Sequence, residues 1–203
     1  MTNKNIMKTI LQDIKTGKPI IIVDSYDREN EGDLMIAAEM ASTETLSFMA
    51  RYARGIMCLP CTSDRLERLS IPMMQSNNLD KFTTPFANSI DAADGISTGV
   101  SVNDRMVTIQ KFVSETSVPK DFAQPGHLFP LRACQGLLEE RQGHTESSIE
   151  LCLLSGMKPI AIIIEVMNDD GSMARLPQLE ELAKKFQLNM ISIDEIIEHK
   201  YGK

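Results

Sequence analysis

Strand-like apolar runs alternate with amphipathic helical stretches along this chain, and that alternation most restricts the folds open to it. Ile6, Ile10 and Ile14, with Met7 and Leu11 alongside, predict a helix that Gly17 and Pro19 end. "IIIV" (Ile20 to Val23) then reads as a buried strand, and Leu34 to Ala38 as another. "STETLSFMARYARG" predicts a helix capped by Ser42 or Thr43 and stopped at Gly55. "GIMCLP" is a short strand, "MMQSNNLDKFTTPF" a loop, and "ANSIDA" leads into a further strand. "NDRMVTIQKFVS" predicts a helix capped at Asn103 or Asp104, with Met106, Ile109 and Val113 on one face. "HLFPLRA" is extended, and Pro130 assigns it to an edge or bent strand. "TESSIELCLLSG" predicts a helix from Thr145 to Gly156, and "PIAIIIEVM" is the most apolar strand. "LPQLEELAKKF", "NMISI" and "DEIIEHKY" close the chain as helix, strand and helix.

The loops are too long and irregular for a simple doubly wound repeat, and no internal repeat or linker is evident. The expected fold is a single α/β (α+β) domain over residues 1–203. Its mixed twisted sheet is flanked by helices in a three-layer arrangement.

A chain of 203 residues, 42% hydrophobic and 24% charged, can bury a core without a metal or disulfide staple. Its net charge of −7 argues against nucleic acid as the main partner. A small anion stays possible, because a local group of arginines can override the global sign. No apolar run approaches the ~20 residues of a membrane span. The first residues lack a signal-peptide core and cleavage site, so a cytoplasmic protein is expected. Cys58 and Cys61 in "CLPC" have the spacing of half a zinc site, but Cys134 and Cys152 form no second pair at such spacing. Reduced, mostly buried thiols are expected.

"DRENEGDL", Asp27 to Leu34, is the densest charge cluster. A solvated loop explains such a cluster equally well. Glu29, Glu31 and Asp33, however, are spaced by two and would share one face of an extended chain. Like charges on one face repel unless a cation or a positive ligand group joins them.

"RQGHTE", Arg141 to Glu146, enters a helix. The free N–H groups there, Gly143, the Arg141 guanidinium and the Thr145 hydroxyl together make a phosphate cradle or, more plainly, a capped helix start. His144 brings a metal ligand to the same place. In "PIAIIIEVM", Ile160, Ile162, Ile164 and Val166 share one face, while Ala161, Ile163, Glu165 and Met167 share the other. Glu165 should therefore be paired or carry a raised pKa, as a proton shuttle would, unless it sits exposed at the strand end. His127 follows the turn at Pro125 and Gly126, and "STGVSVNDR" (with Ser97, Thr98, Gly99 and Ser101) is either a hydroxyl-lined contact or a capped turn. Together these features describe a site for a phosphorylated sugar and a divalent cation.

The chain resembles the 3,4-dihydroxy-2-butanone 4-phosphate synthases of riboflavin biosynthesis. The resemblance rests on "DRENEGDL", "GIMCLPC", "FANSIDAADGISTGVSVNDR", "PGHLFPLRA", "RQGHTESSIEL" and "EVMNDDGSMARLPQL", in family order over nearly the whole chain. It implies conversion of D-ribulose 5-phosphate to L-3,4-dihydroxy-2-butanone 4-phosphate and formate, through a metal-chelated enediolate, by a homodimer with sites at the interface. It implies Glu29 and His144 as metal ligands for Mg²⁺, with Mn²⁺ able to substitute. Arg28, Glu29, Asp33 and Glu165 would contact the sugar, and Arg141, Gln142, Gly143, His144 and Thr145 the phosphate end. His127, Glu165 and Asp33 would transfer protons, and Cys58 would lie near the site without acting as a nucleophile.

Gln124, Ala87, Asn88 and Ser147 depart from the usual family residues. Some members continue into a GTP cyclohydrolase domain, which this chain, stopping at Lys203, is expected to lack. The rival readings are a sugar-phosphate-binding module without chemistry, and a metal-dependent isomerase or aldolase that releases no formate.

Overall fold

The computed structural model describes residues 3–75 and 77–202. Helix α1 (Asn3–Lys15) buries Met7, Ile10 and Ile14 on one face, and Gly17, at φ +74°, turns the chain out of it. Strands β1 (Ile20–Val23) and β2 (Gly32–Ala37) follow. Helix α2 (Thr43–Tyr52) is capped by Ser42, whose Oγ accepts the Thr45 N–H at 3.2 Å. It ends at Tyr52, short of the expected Gly55, because Arg54 already adopts φ +75°. Strand β3 (Cys58–Cys61) leads into α3 (Ser63–Arg68), a helix the sequence did not announce. Six residues are too few to display a helical period.

After β4 (Ile90–Ala92), helix α4 (Val102–Val113) begins. Its cap is Ser101, which accepts the Asp104 N–H at 3.1 Å, and not Asn103 or Asp104. Then come β5 (Phe122–Arg132), α5 (His144–Leu154), β6 (Ala161–Glu165), α6 (Leu176–Phe186), β7 (Met190–Ser192) and α7 (Ile193–Tyr201). The N-cap of α5 is Gly143, so Thr145 lies inside the first turn and no side chain caps this helix.

The strands form one seven-stranded sheet in the order β4-β5-β3-β6-β2-β1-β7 among the described residues. It is mixed: β1 with β7 and β3 with β5 run parallel, and the other neighbouring pairs antiparallel. Strand β6 is central, and its two alternating faces head two separate cores. Ile162, Ile164 and Val166 pack with Leu34 and Ile36 against α2, α4 and α6 through Met49, Ile109, Phe112 and Leu179. Ala161 and Ile163 pack with Met35 and Ala37 against α1, α5 and α7 through Ile10, Leu151 and Ile196. Three layers result, each buried Ile or Leu contributing roughly 1.5–3 kcal/mol. Among the described residues no helix is long and apolar enough to cross a membrane.

Strand β5 is interior, not the edge strand expected from Pro130. The proline is tolerated because its backbone edge faces residues 85–87 beyond the end of β4. Its carbonyl accepts the Ala87 N–H at 2.9 Å, and no ladder donor is required of it. On α5, Glu150 is almost fully buried, and its carboxylate accepts from Tyr201 Oη at 2.9 Å and from Lys200 Nζ. The last helix is thereby tied to the back of α5.

Candidate active site

Asp33 opens β2 and Glu165 closes β6, and the antiparallel register makes them direct partners. Both point to the α5 side of the sheet, where Cys58 is the register partner of Ile163 on the next strand. The Glu165 carboxylate is held by the Ile56 N–H, which donates to Oε2 at 2.9 Å. Gly55 makes room for it: a Cβ there would lie 2.5 Å from that oxygen and 2.6 Å from the Glu165 carbonyl. Glu165 is thus paired, one of the two outcomes its apolar strand demanded.

The start of α5 lies over this pair. Its first residue, His144, is buried, with Nδ1 3.5 Å from Glu29 Oε2. Arg141 crosses the helix entrance, donating to Glu146 Oε2 at 2.6 Å and to the Phe82 carbonyl at 3.2–3.3 Å. Gly143 permits this crossing, since a Cβ would collide with the guanidinium.

The acidic segment is a wall of the same site, but not an extended one. It turns over residues 26–29, Asn30 takes φ +55°, and only Asp33 lies in a strand, so the expected shared face of Glu29, Glu31 and Asp33 does not form. Asp24 organises the turn, accepting from Arg28 Nη1 at 2.9 Å and from the Glu29 and Glu31 N–H groups at 3.0 and 2.8 Å. Arg175, at the entrance to α6, holds it from the other side. Its Nη1 donates to the carbonyls of Glu29 and Asn30 at 2.8 and 2.5 Å and lies 3.6 Å from Glu31 Oε1.

Arg28, Glu29, Asp33, Arg141, His144, Thr145 and Glu165 line one cleft of about 60 Å³, with Cys58, Thr84, Phe86, Leu131 and Ile163. Ligand clefts usually exceed ~300 Å³. A larger cleft, about 620 Å³, lies on the far side of that turn against α6 and β7, but Asp33, His144 and Glu165 are not part of its lining.

Burial pushes the Asp33 carboxyl up to about 7, with Glu165 and Glu29 adding to the effect and His144 opposing it. Burial works against the charged form of His144, but Asp33, Glu29 and Asp24 outweigh it and raise the imidazole to about 9. Burial also disfavours the Glu29 carboxylate, yet His144 and Arg28 together leave its pKa below the usual range. Cys58 is pushed well above its ordinary value by burial and by Glu165 and Asp33, which leaves it an inert thiol. Cys61 and Cys152 are buried too, and Cys134 is half-buried.

The donor set fits a hard divalent cation. Ligand atoms of Asp24, Glu29 and His144 lie within 4.8 Å of one another. His144 Nε2 and Asp33 Oδ1 are buried with no hydrogen-bond partner in the chain, which is costly unless a bound group uses them. A cation bound here would compete with the proton for His144, because both answer to the same carboxylate field.

Two expected residues stand apart. Gln142 is exposed. His127 is on β5, three strands from Asp33 on β2, or roughly 14 Å of sheet at ~4.8 Å per strand, and does not line the cleft. Sequence reading missed Asp24, whose only signal was an acid directly after the "IIIV" strand. It also missed Arg175, which lies within a quoted motif but has no local feature to single it out.

A family model for 3,4-dihydroxy-2-butanone 4-phosphate synthase matches residues 8–199. The chain is 47% identical over 191 residues to the 3,4-dihydroxy-2-butanone 4-phosphate synthase of Photobacterium phosphoreum, covering 94% of this chain and 53% of that protein. A two-domain 3,4-dihydroxy-2-butanone 4-phosphate synthase from A. baumannii superposes with a TM-score of 0.91 at 39% identity, over 96% of this chain and 57% of that one. A 3,4-dihydroxy-2-butanone 4-phosphate synthase solved in complex with two magnesium ions superposes with a TM-score of 0.90 at 35% identity, over 95% of each chain. The chain spans about half the length of the first curated relatives it matches, 53–55% of each. By sequence and by fold, the chain belongs to the 3,4-dihydroxy-2-butanone 4-phosphate synthase family.

Proposed function

We propose that this chain converts D-ribulose 5-phosphate to L-3,4-dihydroxy-2-butanone 4-phosphate and formate. The observation that carries the reading is the facing pair Asp33 and Glu165 beneath His144, in a cleft also lined by Glu29, with Asp24 within 4.8 Å of the Glu29 and His144 ligand atoms. Family membership and the magnesium-bound structural relative support it.

Asp33, with a pKa near neutrality, accepts the proton from C3 of the sugar and can return one later. Glu165, fixed by the Ile56 N–H, serves the second proton transfer. The uncapped N-terminus of α5, with Arg141 and Thr145, takes the phosphate through free N–H groups. Asp24, Glu29 and His144 would hold Mg²⁺ or Mn²⁺, which supplies a fixed positive charge beside the substrate's developing oxyanions. His127 completes the site from a second copy of the chain in a homodimer.

The test is formate release from ribulose 5-phosphate by purified protein. One formate per sugar consumed is expected, abolished by chelator and restored by Mg²⁺ or Mn²⁺. Consumption with no formate would make the chain an isomerase or aldolase, and binding without consumption a sugar-phosphate-binding module.

A further inference from the structure

Among the described residues the Glu165 carboxylate accepts one hydrogen bond, from the Ile56 N–H, and that donor sits on a bend just past the end of α2 at Tyr52. Residues 53–55 run antiparallel to the end of β6, with Arg54 opposite Val166. The Met167 N–H donates to the Ala53 carbonyl at 2.8 Å, and the Gly55 N–H to the Glu165 carbonyl at 3.1 Å. The chain then turns, so that the next N–H, that of Ile56, meets the side chain of Glu165 and not its backbone.

Arg54 stands at that bend with φ +75°, a conformation that glycine adopts freely and an L side chain rarely does. A side chain kept in a strained backbone position calls for a compensating contact, and the guanidinium makes it. Nη1 donates to the Met167 carbonyl at 2.6 Å and to the Tyr52 carbonyl at 3.4 Å, while Nη2 pairs with the Asp169 carboxylate. Asp169 is almost wholly exposed, so the ion pair itself contributes little. The grip on the two carbonyls is what matters. It joins the last turn of α2 to the chain two residues past Glu165, with the Ile56 donor between them.

We infer that Arg54 is a positioning residue for Glu165. It does not line the cleft, but it locks the bend whose N–H orients the carboxylate that does. With Oε2 engaged by Ile56, Oε1 makes no hydrogen bond among the described residues and is left to exchange a proton. Without the clamp the bend is free to relax from its left-handed conformation, and the carboxylate loses the donor that fixes its direction. This inference rests on the reading of Glu165 as a proton-transfer residue given above.

Arg54→Gly is the test, because glycine accepts φ +75° and the substitution removes only the clamp. Hydrogen exchange followed by ¹H–¹⁵N correlation on the full chain reads the Ile56 amide directly, with the amides of β6 as internal control. In Arg54→Gly the Ile56 amide should exchange ~10-fold faster or more while those of β6 keep their wild-type rates. Formate release should lose ~10-fold or more in kcat with KM for ribulose 5-phosphate nearly unchanged. Arg54→Lys, whose ammonium can still donate to the Met167 carbonyl, should recover part of both. Wild-type exchange at Ile56 in Arg54→Gly overturns the inference, and so does equal acceleration at every amide, which would show lost stability and not lost alignment. A kcat within twofold of wild type while Glu165→Gln is inactive overturns it as well. Full activity in Glu165→Gln would instead remove the reading of Glu165 itself, and the inference with it.

Discussion

Asp33 and Glu165 are register partners across β2 and β6, and Asp33 keeps its proton to about pH 7 because the cleft it faces is closed to water on its own side of the sheet. An exposed aspartate loses that proton at 3.8. Between those limits the folded chain binds a proton that the unfolded chain does not, so stability falls as pH rises through the window. Asp33→Asn removes the buried charge. The thermal midpoint of metal-free protein should rise at pH 8 by ~3 °C or more, since about 1 kcal/mol moves a chain this size by ~2–4 °C. Near pH 4.5 the gain should vanish. An equal shift at both pH values would show that the effect is packing and not charge.

Cation binding should expel a proton. His144 is held protonated to about pH 9, and only its neutral form could serve as the metal ligand proposed above. Apparent Mn²⁺ affinity should then climb by up to ~10-fold per pH unit from pH 7 towards 9 and level off beyond. Calorimetry in buffers of different ionisation enthalpy counts the protons released. A value of zero at pH 7.5 would take His144 out of the ligand set.

Arg175 clamps the turn that carries Glu29 without touching the cleft. Arg175→Met should weaken Mn²⁺ binding by ~10-fold or more, in the range usual for residues that orient metal ligands. Circular dichroism and melting should stay close to wild type. Arg175→Lys should recover part of the affinity, because a single nitrogen, Nη1, grips both carbonyls and an ammonium has donors for two. Wild-type Mn²⁺ affinity in Arg175→Met would mean that Asp24 alone shapes the turn.

Two strands, β3 and β6, separate His127 on β5 from Asp33 on β2, and with His127 supplied by a second copy as proposed, inactive variants should complement each other. Glu29→Gln and His127→Ala, unfolded and refolded together, form mixed dimers in roughly half of all pairings, each with one intact site. About a quarter of wild-type formate release should return. No return at all would place both residues in the same chain's site, whatever the oligomeric state.

The sheet was legible because its signals are local. The two alternating faces of "PIAIIIEVM" became two cores with the residues divided as the period of two divides them. The same alternation singled out Glu165. What stayed hidden depends on contacts between distant segments. Nothing near Arg175 tells of carbonyls some 145 residues earlier in the chain. Pro130 signals an edge by local rule, yet lies inside the sheet because β4 ends early. The acids of "DRENEGDL" have an alternation that the turn at Asn30, with its positive φ, cancels, and no residue count reveals that turn.

The tether of Lys200 and Tyr201 to Glu150 makes the chain's last helical turn a mechanical part of the cleft. Helix α5 is a lever with His144 at one end and Glu150 two turns along it. Loss of the tether would leave the buried Glu150 carboxylate without these two donors, a cost that falls on the helix carrying His144. A tilt of an ångström would displace His144 relative to Asp33 and Glu165. Residues outside the cleft thus set the position of one that lines it.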